Sequence, residues 1–238
     1  MRTLILPDIH TKHGKAQQII EKHPDVDEVV CLGDYFDNFG DSGQSNMETA
    51  IWLKNFLKKE NHVALLGNHE FNYAFNRMIY GCSGYTKEKR ELINDVLTIE
   101  DWKKLKPYYM AQGWYLTHAG ISRRLLLHMF PPLQNSSFTR DDFGKIIEKH
   151  LKLFLLTGSS LLFEAGRSRN GKNDTGGITW CHFPDEFGPI KGIKQIFGHT
   201  RQKEPTWYKN TENLCLDTGL NHYAIIEDGK VSTITYKE

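Results

Sequence analysis

The chain has 238 residues, 39% of them hydrophobic and 25% charged, a globular mixture that excludes a disordered, fibrous or membrane-spanning composition. Thirty Lys and Arg face 29 Asp and Glu, a net charge of +1, so no overall field draws the molecule to nucleic acid or an anionic membrane. Any charged partner is gripped locally.

A first strand is expected over residues 2–6, a helix over 15–22, a strand over 28–32 and a helix over 47–59 behind an Asn46 cap, with Ile51, Leu53, Phe56 and Leu57 on its apolar face. A strand over 63–66 completes a strand–helix–strand rhythm that calls for parallel pairing. Helices follow over 87–96 and 100–105, the second capped by Thr98 with Asp101 three residues on. A longer helix is expected over 141–156, capped by Thr139, with Phe143, Ile146, Ile147, Leu151 and Phe154 along one face. One strand, 114–117, lies between these helices. Residues 167–177, rich in Gly and Asn, read as a loop, and strands follow at 194–197, 214–216 and 223–226. Asp228-Gly229 before Val231 marks a tight hairpin, so the sheets are mixed. The expectation is one α/β domain over 1–238 with a helical cover over roughly 86–165. The longest apolar run near the start, Leu4 to Leu6, is too short for a signal peptide, and Cys31, Cys82, Cys181 and Cys215 form no Cys-x-x-Cys pair. Both features point to a cytoplasmic protein with reduced thiols.

The strand ends carry the chemistry. Asp8-Ile9-His10 follows the first, Gly33-Asp34-Tyr35-Phe36-Asp37 the second and Gly67-Asn68-His69-Glu70 the third; Thr117-His118-Ala119-Gly120 and Gly198-His199-Thr200 close two later ones. So many carboxylates and imidazoles in one place cost several kcal/mol unless cations neutralise them. Asp8, His10 and Asp34 would hold one divalent ion and Asp34, Asn68, His118 and His199 a second, with Asp34 between the two. Oxygen and nitrogen donors without thiolate suit manganese first, with iron or zinc as alternatives.

This ordered series, closing with Leu216-Asp217-Thr218-Gly219, resembles the calcineurin-like metallophosphoesterases, and within them the branch of serine/threonine phosphoprotein phosphatases, bacteriophage-type phosphatases and symmetrical diadenosine tetraphosphate hydrolases. The match covers roughly 1–120 and 178–238. The resemblance implies a four-layer α-β-β-α sandwich of two mixed sheets and a dinuclear metal centre with the ligand division given above. It also implies that His69 is the general acid, that Asp37 orients it, and that Glu70 and Asp217 stand behind the ligands.

Two positions depart from that pattern. The phosphate-clamping Arg after Gly-Asp-x-x-Asp is replaced by Asn38, and a second one after the Trp of Ile178-Thr179-Trp180-Cys181 is replaced by His182. Neither supplies the two directional hydrogen bonds of a guanidinium. Asn38, His182 and Arg201 are therefore the expected substrate contacts, with the loop arginines Arg167 and Arg169 as the alternative to Arg201, and Arg77, Arg123, Arg124 and Lys172 as further candidate cations. His13, His23, His62, His128, His150 and His222 read as structural.

The function expected is hydrolysis of a phosphate monoester, a phosphoprotein or a small phosphorylated metabolite, by in-line attack of a metal-bridging hydroxide. The alternatives are a phosphoanhydride or phosphodiester hydrolase and, in another class, a catalytically silent metal-binding adaptor. No membrane partner and no strong nucleic-acid signal are read, and the sequence does not fix the oligomeric state.

Overall fold

A computed structural model describes residues 1–75, 81–131 and 140–237. Among the described residues, ten strands form two five-stranded sheets. The first joins β1 (Arg2–Leu6), β2 (Glu28–Cys31) and β3 (His62–Ala64) in parallel, with β9 (His222–Glu227) and β10 (Lys230–Thr235) antiparallel at one edge, in the order β10-β9-β1-β2-β3. The second joins β4 (Tyr108–Ala111), β5 (Trp114–Thr117), β6 (Lys194–Phe197), β7 (Thr206–Trp207) and β8 (Asn213–Cys215) in the order β4-β5-β6-β8-β7. There β5, β6 and β8 run parallel.

Alternation along the strands builds the layers. Ile5, Val30, Leu65, Trp114, Leu116, Ile196, Leu214 and Ile226 form one buried cluster drawn from both sheets, so the sheets pack face to face. The intervening residues Leu4, Leu6, Val29 and Cys31 face the other way, onto Ala16, Ile19 and Ile20 of α1 (His13–Glu21) and Ala50, Leu53 and Phe56 of α2 (Gly43–Phe56). On the second sheet, Tyr115 lies edge-on to Phe143 of α7 (Arg140–Thr157), 4.4 Å between ring centroids. Helix, sheet, sheet, helix is the four-layer sandwich.

Four local expectations change. Helix α2 starts at Gly43, where the Ser42 hydroxyl accepts from the Ser45 N–H; Asn46 is inside the first turn and uses its amide on a neighbouring loop instead of capping. The stretch 86–165 is not helical throughout: besides α4 (Lys87–Val96), α5 (Ile99–Trp102), α6 (Arg123–Met129) and α7, it carries β4 and β5, which belong to the second sheet. Helix α5 has the expected Thr98–Asp101 capping box but stops at Trp102, and the 167–177 loop contains a single 3₁₀ turn, Arg167–Arg169. The proposed caps and cations at Thr139 and Arg77 lie outside the described residues. No helix among those described is long and apolar enough to cross a membrane.

The parallel strands β1, β2 and β3, and β5 and β6 across from them, deliver their carboxyl ends to one edge of the sandwich. The short helix α3 (Glu70–Ala74) starts at the end of the third loop. Four site residues there take left-handed backbone: His10 (φ 43°), Asp34 (φ 49°), Asp37 (φ 61°) and His199 (φ 67°). Such conformations are unfavourable for non-glycine residues and persist where surrounding contacts over-determine them.

Candidate metal centre and active-site cleft

For two of these loops, the over-determining contacts come from Glu70, fully buried at the start of α3. Its Oε2 accepts from the backbone N–H of Asp34 (3.0 Å) and Gly67 (2.8 Å), and its Oε1 from Tyr35 (2.8 Å). One carboxylate thus ties the loop after β2 to the loop after β3. Burial and the charge of Asp34 push its pKa up to about 7, against three N–H donors that favour the anion.

The loops bring His10, Asp34, Asn68, His118 and His199 together, with Asp8 beside them. His10 Nδ1 lies 3.0 Å from the Phe36 carbonyl and His118 Nδ1 lies 3.0 Å from the Leu32 carbonyl. In each ring Nδ1–H donates to the carbonyl, which leaves Nε2 as a bare nitrogen, the tautomer a metal-binding imidazole needs. His118 Nε2 then faces Asn68 Oδ1 at 3.0 Å, His199 Nδ1 at 3.2 Å and Asp34 Oδ2 at 3.3 Å. The Asn68 amide is turned this way because its Nδ2 donates to the Cys82 sulfur, 3.3 Å away.

Four lone-pair groups converging on one buried point repel one another unless a cation sits between them. Without a metal, protons supply that charge: burial lowers the pKa of His118, yet Asp34 and Asp8 carry it up to about 10, while burial and the charge on His118 hold His199 well below the usual imidazole value. Asp34 is opposed by burial but held well below the carboxylate range by His118 and His69. Asp8 goes the other way, raised by burial and by the neighbouring Asp217. This donor set, oxygen-rich, imidazole-rich and short of positive charge, fits divalent cations. Asp8, His10 and Asp34 would hold one, and Asp34, Asn68, His118 and His199 the other.

Proximity alone also groups His69 with His10 and Asp34. The hydrogen bonding of His69 differs from that of the other two rings, however. Its Nδ1 lies 2.9 Å from Asp37 Oδ2, a carboxylate rather than a carbonyl, and burial is outweighed by Asp34 and by this bond, so its pKa rises to about 9. A carboxylate partner stabilises the imidazolium, which suits a proton donor.

Asp8 accepts from the His199 N–H with both oxygens at 3.0 Å, and its Oδ2 is 4.0 Å from His10 Nε2. Asp217 is buried behind Asp8, where its Oδ1 accepts from the Gly219 N–H at 2.8 Å. The site opens into a cleft of about 540 Å³ whose walls include Asn38, Phe39, Cys82, Arg169, Trp180 and Arg201. Asn38 is there, but its Oδ1 is taken by the Phe39 N–H. His182 is not among the described residues lining this cleft, and its Nε2 lies 3.8 Å from Asp185 Oδ2.

Arg169 stands in the cleft instead, with its buried Nε lacking a hydrogen-bond partner among the described residues. The loop that presents it is wound around Glu186, a buried carboxylate that accepts from the N–H groups of Ser168 (2.8 Å), Gly176 (2.9 Å) and His182 (3.1 Å). Arg201 faces the cleft from the other side, its guanidinium packed so closely on Gly219 that an added Cβ would lie 2.1 Å from it. Arg123, Arg124 and Arg167 are exposed and absent from the described walls.

The family described as calcineurin-like phosphoesterase matches residues 1–203. No curated protein matches the chain. Among solved structures, a cold-active protein-tyrosine phosphatase from a psychrophilic Shewanella species is 17% identical, with a TM-score of 0.63 over 98% of this chain and 80% of its own. A protein serine/threonine phosphatase from Saccharomyces cerevisiae is 14% identical, with a TM-score of 0.58 over 100% and 81%. A putative diadenosine tetraphosphatase is also 14% identical, with a TM-score of 0.54 over 98% and 93%. These likenesses are of fold.

Proposed function

The chain belongs to the calcineurin-like phosphoesterases, metal-dependent hydrolases of phosphoric esters, and on that premise we propose that it is a phosphatase acting on a phosphate monoester, a phosphoprotein or small phosphorylated metabolite, in the cytoplasm. The observation that carries this reading is the His69–Asp37 pair, 2.9 Å apart, set beside a cation-demanding cluster at the floor of a cleft lined by Arg169 and Arg201. Two divalent ions, manganese first among them, supply a polarised water and counter-charge for the phosphoryl oxygens when bound.

The chain's own residues do the rest. Arg169 and Arg201 grip the non-reacting phosphoryl oxygens in place of the clamping arginines missing at positions 38 and 182, and two guanidiniums suit the dianionic charge of a monoester. His69, protonated and held by Asp37, gives its Nε2 proton to the leaving oxygen. Cys82 also lines the cleft, but burial pushes its thiol up to about 12, which speaks against a cysteine nucleophile and for direct displacement by water. The four unpaired cysteines support a reducing compartment.

Hydrolysis of a phosphoanhydride such as a dinucleoside polyphosphate is the second reading. It is favoured by Phe39, which stands fully exposed at the cleft mouth, where a nucleobase would stack. The test is turnover by manganese-loaded protein of an alkyl monophosphate, its diester and a dinucleoside polyphosphate, with H69N beside wild type. A preference for the monoester, and a fall in kcat of roughly 10²–10⁴ in H69N on esters with poor leaving groups, support the proposal. Preference for the polyphosphate favours the second reading, and inactivity on all three the silent adaptor.

A further inference from the structure

Asp37 has more partners than the dyad requires. Its Oδ2 faces His69, while its Oδ1 accepts from the Tyr73 hydroxyl at 2.6 Å and from the Lys89 ammonium at 3.2 Å. Lys89 is in the first turn of α4 and only 6% exposed, an unusual place for a lysine. Its Nζ also pairs with Asp41 Oδ1 at 2.5 Å and donates to the Gly84 carbonyl at 2.8 Å. The loop before α4 presses on the same carboxylate: Gly84 is left-handed (φ 94°), and a Cβ there would lie 3.0 Å from Asp37 Cβ.

The network reaches the cleft wall at Asn38. Asp41 Oδ2 holds the Asn38 N–H at 3.0 Å and the Asn46 amide at 2.6 Å, and Asn46 Oδ1 accepts from the Asp37 N–H at 3.1 Å. Lys89 is thus the one described cation shared by Asp37 and Asp41. Remove it, and the buried Asp37 carboxylate keeps Tyr73 and His69 as partners but loses the charge that fixes which oxygen faces the imidazole.

We propose that Lys89, supported by Tyr73, is a positioning residue for proton donation to the leaving group. It pins Asp37 Oδ1 so that Oδ2 meets His69 Nδ1 and His69 Nε2 is held toward the cleft. The helical stretch that carries Lys89 is in this way part of the catalytic machinery rather than a cover. In the step it supports, the oxygen of the attacking water forms a bond to phosphorus and its proton goes to solvent, while the bond from phosphorus to the leaving oxygen breaks with its electron pair on that oxygen, which takes the proton from His69 Nε2. His69 regains a proton from solvent, and Lys89 keeps its own protons throughout. The proposal rests on the reading of His69 as general acid.

Leaving groups separate this role from a structural one. An alkyl phosphate expels a poor leaving group and needs the proton, whereas p-nitrophenyl phosphate expels a stabilised phenolate and depends on it far less. K89M is expected to lower kcat on the alkyl ester roughly tenfold to hundredfold. Its loss on p-nitrophenyl phosphate should be at least five times smaller, with both KM values within about twofold and the bound metal unchanged. K89R should recover most of the loss, and Y73F should show the same pattern more weakly. Equal losses on both esters, or loss of metal, would make Lys89 merely structural and overturn the proposal, as would an unaltered kcat.

A second readout needs no turnover: the Nδ1-bound proton of His69 in the zinc-loaded protein, assigned by its disappearance in H69N. It should resonate far downfield in wild type and broaden away in K89M, with K89R and Y73F as further variants should K89M fold poorly. An identical signal in folded wild type and variants sinks the role of Lys89. Wild type inactive on both esters would instead defeat the reading of function, with the proton signal still deciding the geometry.

Discussion

Glu70→Gln tests the idea that one buried carboxylate ties two ligand loops together. The wild-type side chain accepts three backbone N–H bonds, at 3.0, 2.8 and 2.8 Å, from Asp34, Tyr35 and Gly67. A glutamine is almost the same shape, so cavity and strain drop out of the comparison. Its single oxygen can keep the bonds from Asp34 and Gly67 as neutral ones, but its NH₂ then points at the Tyr35 N–H, leaving a buried donor facing a donor. The wild-type carboxyl titrates at about 7, so charge assistance is partial and the unsatisfied buried group carries most of the loss, about 2 kcal/mol. For a chain of this size that corresponds to a Tm lower by about 4–8 °C. Unfolding should be followed in urea with a chelator present, so that metal binding, which stabilises by mass action, does not enter the comparison. With metal restored, the same variant should bind manganese ~10–100-fold more weakly, because Asp34 and Asn68 are presented by the loops that Glu70 joins. A stability change below about 0.5 kcal/mol with undiminished metal affinity would refute the reasoning.

Two further substitutions probe other parts of the structure. Gly198→Ala places a methyl 2.0 Å from Asp8 Oδ1, on a carboxylate already held by the His199 N–H, so metal affinity should fall at least tenfold by titration calorimetry. Unaltered affinity would mean that Asp8 is not needed as placed. His62, half-buried, packs 4.3 Å from the Phe56 ring with no partner for Nδ1 among the described residues, and burial followed by Lys59 lowers its pKa to about 4. Its folded value is below the unfolded one, so its contribution is complete above pH ~6.5 and is lost as pH falls toward 4. Allowing for solvent screening, wild type should lose about 1 kcal/mol more than His62→Phe between pH 7 and pH 5 in denaturant titrations. Parallel pH dependences would remove His62 from the account.

The strand-end residues were legible in the sequence for a physical reason. A parallel strand ends abruptly, and a carboxylate, amide or imidazole beside glycine at that point has little structural purpose unless the strand ends meet. The same logic placed β1, β2, β3, β5 and β6, whose apolar runs are continuous because both of their faces are buried. The supports were not legible. Lys89 and Asp37 are separated by 52 positions, and nothing local distinguishes Lys89 from the solvated lysines around it. An asparagine before an apolar helical run usually caps it, whereas the partners of Asn46, Asp37 and Asp41, are in a loop that only the fold brings near. Arg169 is one of several loop cations, and nothing local announces the buried Glu186 around which its loop is wound or the Asp185 carboxylate beside His182. Helix α3, five residues long, and the two-residue β7 are too short to show any periodicity.

Counting metal in the folded protein bears most directly on the whole account. After loading with manganese and removal of excess ion, elemental analysis should return about two equivalents per chain. Anomalous scattering should place both between Asp8, His10, Asn68, His118 and His199, with Asp34 in the middle, and D34N should lose them. A crystal soaked in manganese that shows no anomalous signal there, or a D34N protein that keeps both ions, would contradict it.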